Sequence, residues 1–236
     1  MMASDQIGVA DWLVGSLFPF QNYVAGSIIP PTYEAYARIL HSAQSASRHV
    51  SWAEIAEWAG RIYHRTMQFE AIATPIEGDG PSPKPWDGQV PYHMPMQQAK
   101  ALANLLNSFT ATPEKVWYLV WEGYGDVPQT SRPRVQRPQR NYLLYCGAIN
   151  DIGEGGISEH HRQPPEYWFP KDKSWCVATD VDLFGTYVGG SRDCIDALLN
   201  SPDLETVPAE LNDGLTVESD VINRLTNEEK SKWGIS

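Results

Sequence analysis

The sequence predicts an α+β fold in a single domain: a central mixed or antiparallel sheet, flanking helices and long loops rich in proline and glycine. Three observations lead there. The chain has 236 residues, closer to one large domain than to two of about 150. Two runs, VWYLVW at 116–121 and NYLLYC at 141–146, are β-branched or aromatic on both parities, which suits strands covered on both faces. Segments of helical period fall between strand-like ones without the regular βαβ alternation of a parallel sheet.

Residues 7–30 are apolar and aromatic, punctuated by Pro19 and the pair Pro30–Pro31. YEAYARIL at 33–40 alternates Tyr33, Ala35, Ala37 and Ile39 with Glu34, Tyr36 and Arg38. This reads as a strand, although a short helix after Pro31 fits nearly as well. Ser51 with Glu54 forms a capping box ahead of Trp52, Ile55, Trp58, Ala59 and Ile62 on one helical face. MQQAKALANLLNSF at 96–109 repeats that period and stops before Pro113. SWCVATDVDL at 174–183 reads as an alternating strand, with Trp175, Val177, Thr179, Val181 and Leu183 on one face and Cys176, Ala178, Asp180 and Asp182 on the other. TYVGGS then leads into a helix, SRDCIDALLN, capped by Ser191. Thr226 with Glu229 caps one more helix near the C-terminus. The stretches 77–95, 123–140 and 147–173 read as long loops within the one domain 1–236. Trp86 and Trp168 lie in these loops and Trp233 in the tail, all three more suited to packing anchors than to exposed platforms.

Lys plus Arg number 18 and Asp plus Glu 29, a formal charge of −11. Such a chain disfavours nonspecific binding to nucleic acid or to an anionic membrane. The first twenty residues lack a basic segment and carry Asp5 and Asp11, so they do not read as a signal peptide. No apolar run nears the ~18 residues of a membrane span. The three cysteines, Cys146, Cys176 and Cys194, form no disulfide framework. A cytoplasmic location is therefore expected.

Asp180-x-Asp182 is the leading chemical candidate. Two carboxylates on one strand face can grip a divalent cation or divide acid and base roles; the plainer reading is a strand end facing water. His160 and His161 are candidates for proton transfer near pH 7. Adjacent histidines diverge on extended chain, and no H-x-x-x-H or C-x-x-C occurs, so neither zinc nor any other cofactor is indicated. Gly189-Gly190-Ser191 before a helix could cradle an anion through backbone N–H groups, or could simply be a tight turn with a Ser cap. Arg132, Arg134, Arg137 and Arg140 make a local basic stretch. It could bind an anionic ligand or meet the acidic C-terminal third, where residues 192–236 carry ten acids against four bases. No G-x-S-x-G, Walker or Rossmann fingerprint is present.

WFPKDKSWCVATDVDLFGTYVGGS at 168–191, WAEIAEW and VWYLVWEGYG resemble an uncharacterised bacterial protein family with no assigned activity. The resemblance implies a bacterial, cytoplasmic, single-domain protein and assigns no site residue. Function is thus expected to be that of a non-enzymatic protein-interaction module, immunity- or antitoxin-like. An acidic surface of this kind suits a basic protein partner. The alternatives are a metal-assisted hydrolase or transferase using Asp180 and Asp182, and a binding domain for an anionic small ligand.

Overall fold

The computed structural model describes residues 1–46, 48–89, 91–127, 130–153 and 163–235. Its strands are β1 (Met2–Ala3), β2 (Ala35–Leu40), β3 (Ala43–Gln44), β4 (His49–Val50), β5 (Val116–Trp121), β6 (Val135–Arg137), β7 (Arg140–Gly147), β8 (Tyr167–Pro170), β9 (Cys176–Ala178), β10 (Gly185–Gly190) and β11 (Thr206–Ala209). Its helices are α1 (Asp11–Ser16), α2 (Trp52–Ala59), α3 (Phe69–Ile72), α4 (Met96–Leu106), α5 (Arg192–Leu199) and α6 (Asn227–Lys232). The fold is α+β in one domain. Among the described residues, nine strands form one sheet in the order β1-β7-β5-β8-β9-β10-β2-β11, with β6 also on β7. Every pairing in it is antiparallel, and β3 and β4 pair separately. Among the described residues, no helix is long and apolar enough to cross a membrane.

Both faces of the sheet are covered, which is why β5 and β7 are apolar on both parities. On one face Tyr118, Val120, Leu143, Trp168, Val177 and Val188 pack against Leu102 and Leu106 of α4 and Ile195 and Leu198 of α5. On the other, Leu119, Tyr142, Leu144, Tyr167, Phe169 and Tyr187 pack against Leu13, Ile28 and Ile29 of the N-terminal segment. A third cluster joins α2 and α3 to the β2–β11 end of the sheet through Trp52, Ile55, Phe69, Trp86 and Phe184, with Leu40 and Val207. Capping chemistry fixes three helices as the sequence requires. Ser51 and Glu54 close a full capping box on α2, Thr226 and Glu229 one on α6, and the Ser191 hydroxyl accepts from the Cys194 amide on α5.

Three local expectations need correction. The 174–183 strand is only Cys176–Ala178, because the chain turns at Asp180, whose carbonyl accepts from the Leu183 amide at 3.1 Å. Leu183 therefore packs with Cys176 on the N-terminal-segment face and not with Trp175. The stretches 123–140 and 147–173 are not wholly loop: the first holds β6 and the second β8. Trp168 is accordingly a fully buried strand residue, whereas Trp86 is a buried anchor in a loop.

Candidate functional site

At the end of the sheet beside β7 and β9, on the face covered by the N-terminal segment, the structure has a cavity of about 300 Å³. Its walls come from distant parts of the chain. Tyr23 and Ile28 belong to the N-terminal segment, Glu70 to α3, Leu183 to the β9–β10 turn, and Leu215 and Val217 to the segment after β11. Most of the lining is apolar. The ionisable acids and bases are Arg140, the first residue of β7, together with Asp180, Asp182 and Glu70, and Ser27 and Thr216 add neutral hydroxyls. Burial pushes the Glu70 carboxyl above its ordinary range.

The structure brings Asp180 and Asp182 together around one cation but places them differently. Asp180 is buried, and its Oδ1 accepts from Arg140 Nε at 3.0 Å and from the Val181 amide at 2.8 Å. Asp180 Oδ2 has no donor among the described residues. Asp182 is open to solvent, its side chain 83% exposed, and reaches Arg140 Nη2 only at 3.4 Å. The Arg140 guanidinium also lies over the Trp121 ring, 5.2 Å from its centroid. The inner contact thus fixes the guanidinium plane, and the outer one is worth about 0–1 kcal/mol at most. Among the described residues, no group of three or more His, Cys, Asp or Glu side chains could hold a metal ion.

The remaining candidates lie elsewhere. Arg132 pairs with Asp5 and donates to the Leu144 carbonyl, and Arg134 pairs with Glu122 at 2.5 Å. Arg137 is buried and donates to the Ser27 carbonyl and the Tyr167 hydroxyl. Among the described residues, the acids that pair with this basic stretch are Asp5, Glu122, Asp180 and Asp182, and none of these comes from residues 192–236. Gly189 and Gly190 are strand residues paired with Tyr36 and Ala35 of β2. A Cβ at Gly189 would come within 2.6 Å of Tyr33 and 2.9 Å of Tyr36, so close packing accounts for that glycine. The first amide of α5, on Arg192, is taken by Glu34 at 3.1 Å. His160 and His161 fall outside the described residues.

Glu166 is the residue that the sequence reading missed. It precedes β8 and is almost wholly buried. Its Oε1 accepts from the Tyr124 hydroxyl at 2.6 Å and its Oε2 from the Trp121 amide at 2.8 Å. Burial raises its pKa to about 7, and the charge of Asp180 adds to the rise. Three successive aromatics behind two prolines, PPEYWF, carried the signal of a buried strand start.

No protein-family model matches the chain, and neither a curated protein nor a solved structure is detectably similar to it.

Proposed function

We propose that the cavity binds a small organic molecule with an apolar body and a cationic, hydrogen-bond-donating head such as an amine. The observation that carries this is the cavity's composition: apolar walls with three carboxylates, Asp180, Asp182 and Glu70, against the single guanidinium of Arg140. Pockets of this size with a few convergent polar groups are the usual form of a small-molecule site. Arg140 is already matched by Asp180, so the unmatched charge is negative. Opposite unit charges about 4 Å apart gain roughly 1–4 kcal/mol between water and a protein surface. An anionic ligand would have to displace Asp182 and then face the other two acids.

The test is a thermal-shift titration with octylamine, phenethylamine and octanoate, read in parallel by the fluorescence of Trp121 beside Arg140. The amines raise the melting temperature because they bind the native state, and Leu215→Trp, which fills the cavity, abolishes the effect. A response to octanoate alone would return the site to the anionic-ligand reading.

One observation favours the protein-interaction reading as a second. Ile62, Tyr63, Val221 and Ile222 are exposed large apolar residues. Two hydrogen bonds between Ile62 and Asn223 hold their segments side by side, at 2.9 and 2.8 Å. Exposed apolar side chains on adjoining segments are the form that contact sites take. Capture of a stoichiometric basic partner from the native host, lost in Ile222→Asp, would support it; recovery of no such partner would count against it.

A further inference from the structure

The chain between α3 and α4 runs back over α2 and brings a lysine onto two tryptophans. Main-chain bonds set its course. The Ile76 amide donates to the Ala59 carbonyl at 3.0 Å, and the Asp87 amide to the Gln44 carbonyl at 2.9 Å. Between these anchors the Trp58 indole N–H donates to the Pro81 carbonyl at 2.6 Å. Gly80 lies against the same ring. Its φ is 77°, and a Cβ there would come within 2.6 Å of Trp58 Cζ2, so glycine is required on both counts.

Trp58 of α2 and Trp86 of this loop meet edge to face, with centroids 5.1 Å apart and planes at 86°. Two rings at a right angle make a corner. The Lys84 ammonium sits against both, 4.0 Å from the Trp86 centroid and 5.9 Å from that of Trp58. Both lie within the ~6 Å reach of attraction between a cation and an indole face. Burial lowers the affinity of Lys84 for its proton, and the charge of Asp87 acts the other way. The ammonium has thus exchanged part of its water for ring faces.

An open cleft of about 570 Å³ adjoins the corner, and Trp58 and Lys84 form part of its wall. Asp79, Glu228, Glu229, Lys232 and Trp233 stand around the rest. Glu229 is already matched by Arg61 at 2.8 Å. Without Lys84 the lining would carry two further acids against Lys232 alone, so it favours a cation. Among the described residues, none lines both this cleft and the cavity at Arg140.

A primary ammonium is strongly hydrated and has three N–H donors to satisfy. Ring faces serve it poorly. A quaternary ammonium has no donor and gives up its water at less cost, and aromatic cages are the form in which such heads are recognised. We propose that the Trp58–Trp86 corner and its cleft bind a small molecule with a quaternary ammonium head, and that Lys84 is a tethered occupant which this ligand displaces. A competitor on the same chain acts at an effective concentration of about millimolar. Lys84 therefore sets the ligand concentration at which the site fills. This site is independent of the amine reading of the cavity.

Choline titrated into the isotope-labelled whole chain tests this, with the indole N–H signals of Trp58, Trp86 and Trp121 followed by NMR. Each signal is assigned by its loss in Trp58→Phe, Trp86→Phe or Trp121→Phe. The Trp58 and Trp86 signals are expected to shift, and Lys84→Ala to tighten binding roughly tenfold by removing the competitor. Lys84 is exposed, so this variant keeps the fold. Neohexyl alcohol, the neutral isostere with carbon in place of nitrogen, is expected to bind at least about tenfold more weakly than choline, because attraction of charge to the rings is lost. That comparison uses a single protein and holds whether or not a tryptophan variant folds. Equal affinity of wild type and Lys84→Ala overturns the role of Lys84. Equal binding of the two compounds, or Trp58 and Trp86 signals unmoved in Lys84→Ala, overturns the site. Shifts confined to Trp121 place the head in the Arg140 cavity and overturn it as well, so the indole that responds tells failure here from failure of the cavity reading.

Discussion

Asp180 and Asp182 differ by two positions in sequence and by almost everything in energetics. The Arg140–Asp180 pair is mostly out of water, so removing one partner strands a charge and costs roughly 3–5 kcal/mol. The Arg140–Asp182 contact is long and solvated. Arg140→Ala is therefore expected to lower stability by about 3 kcal/mol or more, and Asp182→Ala by less than about 0.5 kcal/mol; urea denaturation of the two variants checks the contrast. Gly189 is decided by space. Its missing Cβ leaves room for Tyr33 and Tyr36, so Gly189→Ala overpacks the sheet and costs roughly 1–3 kcal/mol. Gly190→Ala, whose Cβ would meet the Cys194 Sγ at 3.2 Å, costs less. Equal losses at the two glycines would contradict this account.

At the scale of elements, α2 shows how local and distant chemistry combine. Ser51 caps it locally, and Glu205, which precedes β11, accepts from the first two helical amides, on Trp52 and Ala53, at 2.7 and 2.9 Å. Ser51→Ala is expected to cost about 1 kcal/mol. Glu205→Ala is expected to cost roughly 1–3 kcal/mol, because the part-buried Trp52 amide loses its acceptor. Thermal denaturation of both would show it. The Ser51 cap was legible in the sequence and the Glu205 cap was not, since nothing local links positions so far apart. The same division runs through the fold. Strands with strong two-face patterns and helices with caps could be read directly. β9 could not be bounded, because alternation continues through Asp182 after the hydrogen-bonded ladder has ended. β8 was hidden among prolines and glycines. Of the site, Asp180 and Asp182 were legible as a pair. Their joint hold on Arg140 depends on how β7 is placed beside the β9–β10 turn, which short-range pattern does not encode.

Across the whole molecule, two buried groups oppose each other in pH. Glu166 has a folded-state pKa of about 7 against 4.5 for the ordinary carboxyl, so the folded form binds the proton more tightly. Its contribution is full below 4.5 and is lost as pH rises towards 7. His41 is held neutral, its pKa lowered by burial to about 3 from 6.5. Its contribution is full above 6.5 and is lost as pH falls towards 3. Between 4.5 and 6.5 the two slopes cancel in part. Glu166→Gln is therefore expected to make stability rise with pH across that window, and His41→Asn to make it fall, each by about 1.4 kcal/mol per unit at most. Denaturation midpoints at pH 4.5, 5.5 and 6.5 would reveal a wrong sign at once.

The place of β2 in the sheet has a consequence for biosynthesis. Both of its neighbours, β10 and β11, lie beyond residue 184. A ribosome adding about 5–20 residues per second leaves β2 with two open edges for on the order of ten seconds. Unpaired edges invite association with other nascent chains. Yield in a cell should then depend on chaperone capacity and on the rate of elongation between the codons for β2 and those for β10 and β11, more than on the equilibrium stability of the finished protein.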